Sequence, residues 1–274
     1  MYNLLIKPFV RNMEPGKASR VALRYFKILG SIPGGRFLSR FFHGNRPAGM
    51  EREVFGLQFY NPVGLSSGLD RQGDLYNDLN VLGFSFVEIG PLDAELTRHA
   101  IANLQENPAD DLICACIVAD HLTSFSLAYD FFDFFSVEVK DLEEFEHVMD
   151  QILDVRLTYE QYKPVIVKFS SVLTEEADIR RVLDYCLLNH IDGIETRTLE
   201  QTKAVSAYTK GRLEIIANCV FSTPEEAQAL LDSGASLIGM RRGLVSEGPR
   251  FVRKVIRYLE SNARKKKTDE TKEA

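Results

Sequence analysis

"NPVGLSSGLDRQGD", Asn61 to Asp74, decides between two α/β architectures. Its first residues form a short apolar run, Ser66-Ser67-Gly68 makes a small-residue turn, and charge follows at Asp70, Arg71 and Asp74. A strand covered on both faces reads as such a run, and a turn of small residues lets the backbone come close to a ligand. An open doubly wound sheet would carry the phosphate-binding spacing G-x-G-x-x-G after its first strand, and "GLSSGLDRQG" lacks it. A closed barrel has no such requirement.

Working outward, the same kind of run recurs, giving candidate strands at 62–68, 85–90, 112–119, 134–139, 165–170, 193–198, 214–219 and 236–242. Helical stretches lie between them. Thr223-Pro224-Glu225-Glu226 has the form of a capping box with proline at the first helical position. Glu175 and Glu176 place acids in a first turn, and Gly234 marks a helix stop. Eight β–α pairs predict a (β/α)8 TIM barrel over residues 47–262. The polar end, 263–274, is expected to be disordered.

The chain of 274 residues has a net charge of -6, with 45% hydrophobic and 26% charged residues, as in a soluble globular protein. That balance hides a split. Residues 1–46 hold nine Lys/Arg against the single acid Glu14, or +8, so the remainder carries -14. Val21, Ala22, Tyr25, Ile28 and Leu29 share one helical face there, Arg20, Arg24 and Lys27 share another, and "RFLSRFF" begins a second amphipathic piece. A basic amphipathic unit suits an anionic membrane surface; the alternative is that its apolar face packs on the barrel. No apolar run reaches the ~20 residues of a membrane-spanning helix, and no secretory signal opens the chain, so a cytoplasmic protein, peripheral on the inner face of the cell membrane, is expected. Cys114, Cys116, Cys186 and Cys219 lack metal-ligand spacing and read as buried free thiols. Neither a metal nor a nucleic-acid partner is expected.

Function in such a barrel sits at the C-terminal ends of the strands. Those ends bring forward Ser66, Ser67 and Gly68, then Cys116, Glu138, Lys168, Thr196, Arg197, Arg241, Arg242 and Gly243. Lys168, amid "VIVKF", serves either an anionic ligand or a buried pair with Glu88, Glu138 or Glu195, because an unpaired buried ammonium is costly.

With these residues assembled, the chain resembles the dihydroorotate dehydrogenases, specifically the membrane-associated, quinone-dependent class. The resemblance is carried by "MYNLLIKPFVRNMEPGKAS", "GLQFYNPVGLSSGLDRQGD", "LGFSFVEIGPL", "KPVIVKFSSVLTEE", "HIDGIETRT" and "SGASLIGMRRGLVSEGP". It implies an FMN-binding barrel that passes hydride from dihydroorotate to the flavin and electrons on to a quinone, reached through residues 1–46. By the same resemblance Ser66, Ser67 and Gly68 lie against the flavin, Lys168 supports its reduced form, Thr196 stands near it, Arg242 and Gly243 lie at its phosphate end, and Arg71 meets substrate.

Several family features are missing. Pro91 replaces a threonine, and "LDAELTRH" leaves no room for the asparagine motif that binds orotate. Cys116, Glu138 and Arg197 stand where asparagines face flavin or substrate. "KDLEEFEHV" has no serine to match the catalytic base, so no catalytic residue is assigned. Ala217, Asn218, Cys219 and Val220 occupy the phosphate glycines, where their side chains obstruct close approach. Arg241 and Arg242 form either a charge clamp for a phosphate or pairs with acids such as Glu195 or Glu247. The expectation is a homologue with lost or weakened orotate chemistry. The alternatives are a working FMN enzyme, or a barrel that binds another anionic or phosphorylated metabolite through Arg71, Lys168, Arg241 and Arg242.

Overall fold

The computed structural model describes residues 2, 6–10, 13–32, 49–170 and 175–273. Eight parallel strands close a TIM barrel: β3 (Val63–Leu65), β4 (Phe86–Leu92), β5 (Leu112–Ile117), β6 (Phe134–Val137), β7 (Val165–Lys168), β8 (Gly193–Thr196), β9 (Glu214–Ala217) and β10 (Leu237–Met240). β10 closes the ring by pairing with β3, Ile238 opposite Val63 and Met240 opposite Leu65. Each candidate strand falls on one of these. Side-chain oxygens start the intervening helices: Asp93 accepts from Leu96 N–H, Asp141 from Glu143 N–H and Thr198 from Gln201 N–H, while Thr223 and Glu226 form the expected capping box.

The lower end of the barrel is apolar and plugged. A hairpin, β1 (Arg52–Val54) and β2 (Leu57–Phe59), lies beneath it, and Phe59 packs edge-on to Phe86 and Phe134 with ring centroids 5.7 and 6.1 Å away. Cys114, Ile166, Ile216 and Leu237 complete this layer. Phe55, at the hairpin tip, adopts φ +56°, a left-handed conformation that disfavours a side chain. Its ring packs against Phe134 and against Gly193, where a Cβ would stand 2.5 Å from the ring and 2.6 Å from the Glu214 carbonyl oxygen. Gly193→Ala is therefore expected to cost about 1–3 kcal/mol by overpacking. Urea unfolding checks this, and an unchanged midpoint would refute the plug.

Near the N-terminus, the helix Pro15–Ser31 lies against the helices Tyr76–Asn80 and Arg242–Glu247. It buries Ala18, Ala22 and Phe26, with Val21 and Tyr25 at the margin. The expected apolar face is thus rotated: Ile28 is 65% exposed, and Leu29's side chain lies outside the described residues. "RFLSRFF" and the rest of 33–48 also lie outside them. Tyr2 donates its hydroxyl to the Val245 carbonyl, and Lys7 pairs with Glu247 at 2.5 Å.

At the other end the expectation of a disordered tail is corrected. The helix Pro249–Glu273 runs through it. Val252, Val255, Ile256 and Leu259 anchor its first turns in the core, and good helix formers continue it, with Arg264 paired to Glu260 at (i, i+4).

Candidate functional site

The upper half of the barrel is polar. Side chains alternate along a strand, so two residues above the apolar layer come Glu88 on β4, Cys116 on β5, Ser136 on β6, Lys168 on β7 and Glu195 on β8, all buried. Lys168 Nζ meets Glu88 Oε1 at 2.9 Å and Ser67 Oγ at 2.9 Å, and it pairs with Glu195 Oε1. Two of its three donors make hydrogen bonds, to Glu88 and Ser67, and Glu195 adds an ion pair. Of the partners proposed for Lys168, Glu88 and Glu195 are taken, while Glu138 stands on the rim.

Other groups close the network. Ser67 N–H donates to Glu88 Oε2 at 2.8 Å, and Ser136 Oγ donates to Glu195 Oε2 at 3.0 Å. Asn218, just past β9, turns inward: its amide nitrogen donates to Glu88 Oε2 at 3.2 Å, and its oxygen accepts from Ser66 Oγ at 2.9 Å. Gly239 makes room for it, since a Cβ there would lie 1.4 Å from Asn218 Oδ1.

Two carboxylates share one ammonium, and they titrate apart. Burial raises Glu88, but the Lys168 ammonium and the Ser67 N–H outweigh it and hold this carboxyl below its usual value. Burial, and next the Glu88 charge, push Glu195 up to about 7 in spite of Lys168. Burial alone would favour loss of the Lys168 proton, yet its anionic surroundings hold its affinity well above the usual lysine value. The Cys116 thiol is pushed well up by burial, so it is neither base nor nucleophile at neutral pH.

Above this network lies a cavity of about 340 Å³ lined by Ser66, Ser67, Gly68, Cys116, Glu138, Lys168, Arg197, Arg241 and Arg242 of the residues singled out from sequence, together with Asn218. The remaining candidates lie elsewhere. Arg71 is exposed outside the cavity. Thr196 is turned toward the helix Leu199–Thr209, where its hydroxyl meets Thr202 Oγ1 at 2.7 Å. Gly243 is buried under Phe251, whose ring would be 2.5 Å from a Cβ. Arg241 folds over Gly68, its Nη1 2.4 Å from a Cβ position there, and donates to the Ser67 carbonyl at 3.1 Å. Ser136 and Asn218 as network members were not foreseen. A serine in a strand carries no distinguishing signal, and Asn218 was read only as an obstruction. Among the described residues, no group of three or more His, Cys, Asp or Glu could hold a metal.

Three of the connections above the cavity are short. Asp93 alone separates β4 from its helix, residues 138–141 follow β6, and only Arg197 and Thr198 follow β8. None of these three is long enough to form a lid.

No family model matches the chain. Among curated relatives, the dihydroorotate dehydrogenase (quinone) of Christiangramia forsetii is 25% identical over 331 residues, covering 93% of this chain and 97% of that protein. The enzyme of the same name from Thermobifida fusca is 25% identical, covering 97% and 93%, and that of Yersinia pseudotuberculosis is 21% identical, covering 94% and 100%. An alignment of 331 positions against a chain of 274 residues leaves at least 57 positions opposite gaps, in keeping with the short connections. A crystal structure of ligand-free dihydroorotate dehydrogenase from Eimeria tenella superposes with a TM-score of 0.71 at 14% identity, over 90% of this chain and 94% of that one, which shows the shared barrel. The chain is thus similar, almost from end to end, to enzymes of the dihydroorotate dehydrogenase family, and it shares their barrel.

Proposed function

We propose that this chain is a flavin-free member of the family that does not oxidise dihydroorotate and serves instead as a binding protein. The observation that carries this reading is Lys168. Family resemblance assigns it to the FMN that the relatives' chemistry implies, yet its ammonium is drawn into an internal network, hydrogen-bonded to Glu88 and Ser67 and ion-paired with Glu195. The other residues fit a flavin no better. Arg241 covers the small-residue turn where the ring would lie, and Ala217 to Val220 offer side chains where a phosphate needs bare backbone. Oxidation of dihydroorotate to orotate with a quinone as final acceptor needs both a hydride acceptor and a placed base. Glu138 to Asp141, after β6, contain no serine.

The test is the absorbance of the purified, undenatured protein followed by addition of dihydroorotate with a quinone analogue. A colourless protein that gives no turnover is expected. A stoichiometric flavin spectrum, bleached by dihydroorotate, would sink the reading.

A specific observation favours a second role for residues 6–32, peripheral attachment to an anionic membrane. Phe9, Met13, Ile28 and Ile32 are 64%, 38%, 65% and 50% exposed, beside exposed Lys17, Arg20, Arg24 and Lys27. No helix among the described residues is long and apolar enough to cross a membrane. In this reading the unit inherited from a quinone-dependent ancestor still docks on the surface but passes no electrons. Phe9→Ser with Ile28→Ser is expected to abolish co-sedimentation with phosphatidylserine vesicles and leave unfolding unchanged. Undiminished binding would refute it.

A further inference from the structure

The rim of the mouth holds three guanidiniums that form no salt bridge with a carboxylate among the described residues. Arg197 follows β8, Arg241 and Arg242 follow β10, and all three line the one cavity. Arg241 reaches a backbone carbonyl, that of Ser67, and no carboxylate among the described residues. Among the described residues no acceptor meets the guanidinium of Arg197 or of Arg242. The acids that sequence offered as partners are engaged elsewhere, Glu195 with Lys168 and Glu247 with Lys7. Burial lowers the proton affinity of Arg241, the Glu88 charge beneath raises it, and the charges of Arg197 and Arg242 lower it, so the three guanidiniums feel one another.

The charge balance sets the class of ligand. Lys140 and Lys168 join the three arginines to give five cations in and around the cavity. Glu138 and Glu195 line it and Glu88 lies beneath, leaving an excess of two positive charges. Volume sets the size. About 340 Å³ lies at the small end of the range of ligand pockets and gives room for a small metabolite.

We infer that the mouth binds a small phosphate monoester, its phosphate held by Arg197, Arg241 and Arg242. A phosphate monoester carries about -1.5 to -2 at neutral pH and gathers that charge on three oxygens. It thereby matches both the excess charge and the convergence of three guanidiniums, whose forks suit such oxygens. A dicarboxylate of equal charge would spread it over two separated groups. Side chains thus supply what bare backbone supplies in a glycine turn. The inference rests on the flavin-free reading of the mouth.

Isothermal titration calorimetry and thermal melting with glycerol 3-phosphate, inorganic phosphate and succinate test it. Glycerol 3-phosphate is expected to bind, to raise the melting temperature, and to bind at least as tightly as inorganic phosphate. Arg197→Gln or Arg242→Gln should each weaken it about tenfold or more. Arg71→Gln, outside the cavity, should leave the affinity unchanged, and the unliganded melting temperatures of all three variants should match the parent's. Three results would each overturn the inference: neither phosphate compound binding, succinate binding as tightly, or binding indifferent to both cavity arginines. A yellow protein loaded with flavin overturns the flavin-free reading and this inference together. A colourless protein that ignores phosphate overturns this inference alone.

Discussion

Lys168→Met is expected to destabilise the protein by about 3–5 kcal/mol at pH 8, the usual cost of removing one partner from a buried ion pair. Lys168 stands between Glu88 and Glu195, all three side chains at most 8% exposed, and methionine fills its volume without its charge. The two carboxylates would then face each other, buried and without a cation between them, and each would keep its proton to a higher pH. The penalty should shrink as pH falls toward 5, because protonation removes the unpaired charges. Urea unfolding of parent and variant at pH 8 and pH 5 tests this. A loss of equal size at both pH values would mean that Lys168 acts through packing and that the ionic network contributes little.

Glu195→Gln should act in the opposite direction. The Glu195 carboxyl is raised from the ordinary 4.5 to about 7, so the folded protein holds a proton that the unfolded chain releases. Its contribution is fully present below about pH 4.5 and is lost as pH rises toward 7, and above that the cost of the buried charge is constant. The shift corresponds to at most about 3 kcal/mol at ~1.4 kcal/mol per unit. Glutamine keeps both contacts, since its oxygen can accept from Lys168 and its amide can donate to Ser136 Oγ, which accepts as readily as it donates. The variant should therefore match the parent near pH 4.5 and exceed it by up to about 3 kcal/mol at pH 8. Glu88, held below its usual value, contributes in the reverse sense at lower pH, and the difference between variant and parent removes it. Stability curves that run parallel from pH 4.5 to 8 would rule out Glu195 as the group that titrates.

The barrel was legible because each strand is a compact apolar run bounded by a turn or a helix cap, a pattern set by burial on both faces. The hairpin beneath it was not. Its strands are three residues long, and its tip is Phe55-Gly56 where asparagine-glycine would announce such a turn. Only the packing of Phe55 on Phe134 and Gly193 explains an aromatic residue with positive φ, and that packing joins residues far apart in sequence. The C-terminal helix was missed for a related reason. Composition sees a polar tail, whereas continuation from buried Val255 and Leu259 makes each further turn inexpensive.

The site was legible as a set of strand ends, and less so as a set of partners. Sequence placed Lys168 among three candidate acids and Arg241 and Arg242 between a ligand and two acids. Those choices depend on which way side chains turn at the top of each strand. Thr196 and Lys168 each end a strand, yet one faces a helix and the other the barrel axis. Arg71 and Gly243, carried over from the resemblance, lie outside the cavity because the chain around them packs on helices.

The clasp between Tyr2 and Val245, with Lys7 on Glu247 beside it, bears on how the protein is made. Residues near the start of the chain are held by residues 243 positions later. At about 5–20 residues per second, the ribosome needs roughly 10–50 seconds to supply that partner. Throughout this interval the helix Pro15–Ser31 has the Tyr76–Asn80 helix to pack on but lacks the Arg242–Glu247 side of its cover. The nascent chain therefore spends most of its synthesis with Ala22 and Phe26 only partly covered, and pulse-chase in cells depleted of a ribosome-bound chaperone should show this protein aggregating early.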